Sequence, residues 1–269
     1  MTRRPAVGVG LCWALLAGAL PWRAPAQTGP QANLLLTLGG GVVNGGNLWA
    51  IPRQPFCPVF SGGSCAGEDT LRLARDMGSS ITIAFAVSYF PGPTLGFQAE
   101  VAYLGLPLED ACTVLDAAPT TAGAQLCGDI AGRSQSTGAI SFFAGAILRA
   151  TPRRLVSPYV RAGVGLVTFD HSTIDMAGTD SSLNTYQVLL DNNPRRLAPS
   201  VQLGAGLTVR VGQGYQFRVE ARDVMAAFER VTGPTDASLV PPTDTRLYHH
   251  FALSMGLDVV LEQKRGRRY

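Results

Sequence analysis

Along most of this chain, apolar side chains recur at every second position. Eight stretches carry the pattern: 33–43, 80–90, 94–105, 138–150, 157–169, 199–211, 215–225 and 247–261. Successive side chains of a strand point to opposite faces, so alternation predicts a strand with one apolar side. Each stretch runs to about 11–15 residues. That exceeds the usual globular strand of about 5–6 residues and suits a tilted membrane strand of about 9–11. The connections alternate too. FPGP at 90–93, TPRRLV at 151–156 and GQG at 212–214 are short, whereas 44–79, 106–137, 170–198 and 226–246 are long. Short turns on one rim and long loops on the other are the layout of an outer-membrane barrel.

The stretch 215–223, YQFRVEARD, poses the question of which face meets what. In a soluble sheet its apolar side would be core and its charged side would be wet. In a membrane barrel the apolar side meets lipid and the charges turn inward. The other strands decide. One face carries Ile81, Ile83, Phe85 and Val87, then Leu95, Phe97 and Val101, then Leu203, Leu207, Phe251, Leu253 and Leu257, with no charge expected on it. The opposite face is Gly, Ala, Ser and Thr, interrupted by Glu100, Arg149, Arg161, Arg210, Arg218, Glu220, Arg222 and Asp258. A soluble ligand-binding barrel would expose that glycine-rich face, and Lys264 is the only lysine available to help solvate it. The pattern therefore predicts an all-β fold: an eight-stranded antiparallel up-and-down transmembrane β-barrel, with the charges of YQFRVEARD inward.

Residues 1–26 add the compartment. Arg3 and Arg4 precede an apolar run from Ala6 to Leu20, and Ala24 and Ala26 end the segment as a small-residue cleavage site. This is the layout of a secretory signal peptide, leaving 27–269 as one barrel domain with four long outward loops. Of 22 Lys+Arg against 19 Asp+Glu, three arginines (Arg3, Arg4, Arg23) would leave with the signal, so the remainder balances at 19 to 19. The formal basic excess thus gives no reason to expect nucleic acid.

With these residues in view, the chain resembles the small eight-stranded outer-membrane barrels of the OmpA/OmpX-like class, through pattern and through phrases such as PYVRAGVGL at 158–166 and FRVEARD at 217–223. The resemblance implies a monomer in outer-membrane lipid, delivered by the barrel-insertion machinery. That machinery reads a terminal aromatic; here Tyr269 follows KRGRR, so either the last strand runs through the tail or GLDVVL at 256–261 serves instead.

Candidate chemistry is sparse. Cys57, Cys65, Cys112 and Cys127 remain after cleavage, two in each of the first two loops, and four cysteines allow three pairings. Export favours disulfides, and local pairing within each loop is the expectation. No CxxC spacing or matching histidines suggests a metal, and no cofactor is expected. The lumen charges are expected to neutralise one another, because an unpaired charge in a narrow interior costs several kcal/mol. A small ion path that opens when a pair breaks is the rival.

His250 and Ser254 share a face but lie about 13 Å apart along a strand, too far for a nucleophile and its base. The segment 69–77, DTLRLARDM, reads as a short helix capped by Asp69, or as an upward extension of the second strand in phase with Ile81 and Ile83. The third loop is Asn/Asp-rich without the order of a calcium loop. Taken together, the sequence points to a non-enzymatic outer-membrane barrel, structural or recognising an extracellular ligand through its loops. A narrow pore or lipid-binding transport barrel is the alternative, and a lipid-modifying enzyme the remote one.

Overall fold

The computed structural model of the chain describes residues 31–57, 60–61, 64–65, 67–192, 194–212, 214–235 and 239–264. The signal segment expected at 1–26 and the tail after Lys264 lie outside them. In chain order the elements are β1 (Gln31–Asn44), β2 (Asn47–Phe56), β3 (Phe60–Ser61), β4 (Ser64–Cys65), β5 (Asp69–Met77), β6 (Ser79–Tyr89), β7 (Leu95–Val114) and α1 (Thr121–Gly132). There follow β8 (Ser134–Arg149), β9 (Val156–Phe169), β10 (Met176–Thr179), β11 (Thr185–Leu189), β12 (Leu197–Arg210), β13 (Tyr215–Val231) and β14 (Thr243–Lys264).

Eight of these strands close a ring. The order β1–β6–β7–β8–β9–β12–β13–β14 is antiparallel throughout, and β14 returns to pair with β1 from Gln31↔Lys264 to Asn44↔Phe251. Closure leaves no unpaired edge, which in lipid would carry unsatisfied backbone groups. The outward band has no protein cover: Leu38, Leu203 and Phe251 are 62%, 50% and 64% exposed. Their inward neighbours Thr37, Gln202 and Ala252 are buried. The eight expected stretches correspond to these eight strands, and β14 carries the ladder past Leu261 to Lys264.

The inner face is lean because the barrel is narrow. Gly145 and Gly163 stand opposite each other in β8 and β9, and a Cβ on either would meet the Phe143 ring within 2.7 Å. Gly206 makes the same room for the Tyr159 ring. The lumen glycines thus accept the few large side chains that fill it.

Above the barrel the strands keep going. β7, β13 and β14 reach 20, 17 and 22 residues, and the surplus carries a cap. The β2/β5 hairpin adds to the extension of β7, from Leu71↔Val114 to Met77↔Leu108. DTLRLARDM is therefore strand, but out of phase with β6. Met77 pairs with Leu108 while Thr82 pairs with Leu104, so Gly78 marks one extra residue, a β-bulge. The slip swaps faces: Leu71, Leu73 and Met77 are buried, whereas Ile81, Ile83 and Phe85 face outward.

Helix α1, not foreseen in the second loop, carries three glycines (Gly123, Gly128 and Gly132) and is a weak helix by composition. Tertiary ties hold it instead. Thr120 caps it, accepting from the Gly123 amide, and the Asp69 carboxylate accepts from both the amide and the hydroxyl of Thr120. Leu126 and Ile130 are buried under Gly178 of the β10/β11 hairpin.

Candidate functional site

The lumen is built in layers. At its centre, Glu100 on β7 accepts from Arg161 Nη1 at 2.6 Å and Nη2 at 3.2 Å, and from Arg222 Nη1 across the barrel. Arg161 also donates to the side-chain carbonyls of Gln98 and Gln202, and its Nε lies 3.4 Å from Glu220. Glu220 accepts from the Tyr159 hydroxyl at 2.6 Å. One layer down, Asp258 faces Arg218 at 3.0 Å and accepts from the Thr37 hydroxyl at 2.7 Å. The Arg161 and Arg218 guanidiniums lie over the Phe143 and Tyr159 rings at 4.5 and 5.0 Å. Of the eight lumen charges read from the sequence, six form this network, three arginines against three carboxylates. Arg149 and Arg210 lie at the short-turn mouth instead.

Apolar layers close both ends. Toward the short turns, Leu35, Phe90, Ile147 and Tyr159 form a buried floor, with Val260 packed against it. Toward the long loops, Leu104, Val167, Ala226, Phe228 and Tyr248 continue without a break into the cap residues Leu48, Trp49, Ile51, Leu71 and Leu73. Between the two layers a cavity of about 20 Å³ borders Glu100, Arg218 and Glu220, little more than one water occupies.

The cap ties the four long loops to one another. Arg75, fully buried, forks onto Asp110 at 2.6 and 2.8 Å and donates to the carbonyls of Ser172 and Asp175, with its guanidinium 5.6 Å from the Trp49 ring. Trp49 Nε1 donates to the Thr173 carbonyl at 2.8 Å. Gln54 and Thr235 exchange hydrogen bonds between the first and fourth loops. Cys57 is bonded to Cys65, and Cys112 to Cys127, the second bond fastening α1 to β7. Arg75 and Asp110 were missed as site residues in the sequence. The available signal was a charge at the parity of Leu71, Leu73 and Met77, a core position.

The outward face differs from expectation in one place. Asp223, the last residue of YQFRVEARD, points outward and its Oδ2 lies 2.7 Å from His249 Nδ1. The His249 ring stacks on Phe251. The pair is eight residues above Tyr215, roughly 20 Å along a tilted strand, near the upper edge of a band about 25 Å tall. A charge is tolerated there because it is paired and close to the interface. His250 points the other way, into the lumen against Phe228, and Ser254 donates to the Glu220 carbonyl, so these two do not meet. In strand register, the outward neighbours of the Asp223–His249 pair are Leu203, Phe251 and Met225, none a nucleophile.

Fold, closure and outward apolar band together define the class: an eight-stranded outer-membrane-type β-barrel, OmpA/OmpX-like in architecture. Among solved structures, the outer membrane protein OprG from Pseudomonas aeruginosa is similar with a TM-score of 0.50 and 10% identity, over 87% of this chain and 99% of that one. Neisserial surface protein A aligns over 87% and 99% at 10% identity, with a TM-score of 0.41. No protein-family model and no curated protein matches the chain.

Proposed function

We propose that the chain is a non-enzymatic outer-membrane barrel whose sealed interior is a scaffold and whose outer cap recognises an extracellular ligand. The observation that carries this reading is where the molecule places its order. The lumen is filled and closed at both ends, while the long loops build a cap with its own buried core, two disulfides and an interlocked arginine. A transport barrel invests in a path, and a recognition barrel in a rigid outer surface. The reading includes a monomer seated in outer-membrane lipid and delivered by the insertion machinery through β14.

The test is fractionation of cells expressing the full chain, a heated-versus-unheated gel, and planar-bilayer conductance of the purified protein. Outer-membrane recovery with a heat-dependent mobility shift and no conductance steps supports the proposal. Discrete steps would move the narrow pore to first place. A soluble band without the shift would overturn the membrane reading altogether.

A further inference from the structure

We propose that a cavity in the cap, between the third and fourth long loops, binds a single neutral sugar unit. The inference rests on the recognition reading above and names its class of ligand. The cavity holds about 250 Å³. That is below the roughly 300–1,000 Å³ of pockets for drug-sized molecules, so its occupant is small. Four parts of the chain meet around it: residues 174 and 190–192 flanking the β10/β11 hairpin, Arg195 just before β12, Glu229 near the top of β13, and 240–243 leading into β14.

Height decides where such a ligand comes from. Glu229 stands beyond Asp223 on the same strand, roughly 15 Å higher along its tilt, and Asp223 already lies near the upper edge of the lipid band. The cavity therefore sits in the aqueous layer above the membrane, out of reach of acyl chains. Its walls are tied in place. The Leu190 amide donates to the Leu239 carbonyl at 2.8 Å and clasps the two loops together. The Thr173 hydroxyl donates to the Glu229 carbonyl at 2.9 Å, and the amide and hydroxyl of Thr232 both donate to the Pro242 carbonyl. Ties of this kind lower the ordering cost of binding.

The lining narrows the chemistry. Ile174, Leu190, Val240 and Pro241 supply aliphatic surface, suited to the C–H face of a saturated ring. The carboxylates of Asp191 and Glu229, the Arg195 guanidinium, the Asn192 amide and the Thr243 hydroxyl supply acceptors and donors. A sugar hydroxyl uses both at once. The charges are already answered within the protein. Arg195 Nε lies 3.0 Å from Glu229 Oε1, and Asp191 Oδ2 accepts from the Ser172 hydroxyl at 2.5 Å. A phosphate or an ammonium group would have to compete with these contacts, whereas a neutral polyol bonds to them as they stand. An amphipathic ring, apolar on its face and hydroxylated at its edge, satisfies both kinds of wall.

The experiment uses the full chain as recovered from cells, in polyoxyethylene micelles, which carry no sugar. It is titrated with methyl glucoside, methyl galactoside and methyl mannoside by calorimetry and saturation-transfer NMR, with methyl glucosaminide and methyl glucuronide as charged counterparts. Saturable binding of a neutral glycoside, weakened about tenfold by Arg195→Ala and by Glu229→Gln and unchanged by Leu183→Ala, supports the site. Thr243→Trp fills the cavity and should abolish binding. Arg195 and Thr243 are exposed, so those variants keep the cap even if Glu229→Gln does not, and the heat-shift gel reports folding of each. Repeating the titration in vesicles containing lipopolysaccharide identifies the source. Loss of glycoside binding there assigns the site to sugars of the same leaflet, and retained binding assigns it to a glycan from outside. Binding of none of the neutral glycosides, binding indifferent to Arg195→Ala and Thr243→Trp, or a preference of about tenfold for either charged counterpart overturns the proposal. If that happens with a non-conducting barrel, the sugar site falls and the recognition reading stands. Discrete conductance steps would overturn that reading itself, whatever the glycosides do.

Discussion

Glu100 shows what a single side chain does in this molecule. Two arginines from different strands reach its carboxylate, Arg161 from β9 and Arg222 from β13. Replacing it by Gln keeps the shape but leaves two buried guanidiniums short of a counter-charge, and breaking a buried pair in this way costs about 3–5 kcal/mol. Equilibrium unfolding of Glu100→Gln in lipid vesicles should show that loss, while Glu100→Leu with Arg222→Met should recover much of it. The outward face obeys the opposite rule. Leu207 and Met255, which flank Val219 half-way between Tyr215 and Asp223, are 46% and 61% exposed on the lipid side, and an arginine at either should cost about 2–4 kcal/mol near the bilayer midplane. The same change at Leu183, on a loop tip outside the barrel, should be nearly silent in that assay. Equal tolerance at Leu207 and Leu183 would refute the lipid-facing assignment. Asp223 is the exception that sets the height of the band: its charge is met by His249 near the rim, not by the midplane.

Elements outside the barrel are held by polar ties as much as by their own propensity. Arg75 on β5 joins three loops, so Arg75→Met should strand the buried Asp110 and loosen the cap by about 3–5 kcal/mol. Protease nicking of the loops in intact vesicles, with the barrel's heat shift retained, would register the change. Asp180 organises the β10/β11 hairpin tip. Hydrogen bonds from the Asn184 side chain, then from the Asn184 and Ser182 amides, hold its carboxyl below the ordinary value. A depressed folded-state pKa stabilises at pH above the ordinary Asp value and is lost as pH falls through the lower one. Amide order at 180–184, read by heteronuclear NOE, should hold at pH 5 and fade only below about pH 3.9. The eight barrel strands were legible in the sequence because lipid and lumen impose a strict period of two over long stretches. The cap was not. Its period is broken by the extra residue at Gly78, which turns Leu71 and Leu73 to the side opposite Ile81, and α1 is a glycine-bearing helix fixed by Cys127 and Thr120 rather than by its own pattern. The lumen charges were legible as a set, but their division was not. Which arginine meets which carboxylate depends on register across the ring, so the placing of Arg149 and Arg210 at the mouth emerges only in three dimensions.

At the scale of the whole molecule, permeability follows from the order of layers, not from the charge network alone. A lumen closed only by ion pairs would open whenever a pair exchanged partners. Here the network lies between two apolar layers, Leu35, Phe90 and Ile147 below and Leu104, Val167, Phe228 and Tyr248 above. An ion crossing either layer would shed its water with no polar group to replace it, at a cost of several kcal/mol or more. Neutralising the centre with Glu100→Gln and Arg161→Gln should therefore leave the protein non-conducting in planar bilayers. Opening it should require the floor and the cap to go as well, as in Phe90→Ala combined with deletion of the β2/β5 hairpin on the charge-neutralised background. If the two central substitutions alone gave discrete conductance steps, the apolar layers would not be the seal. The barrel would then be a gated pore held shut by Glu100, and the cap its vestibule.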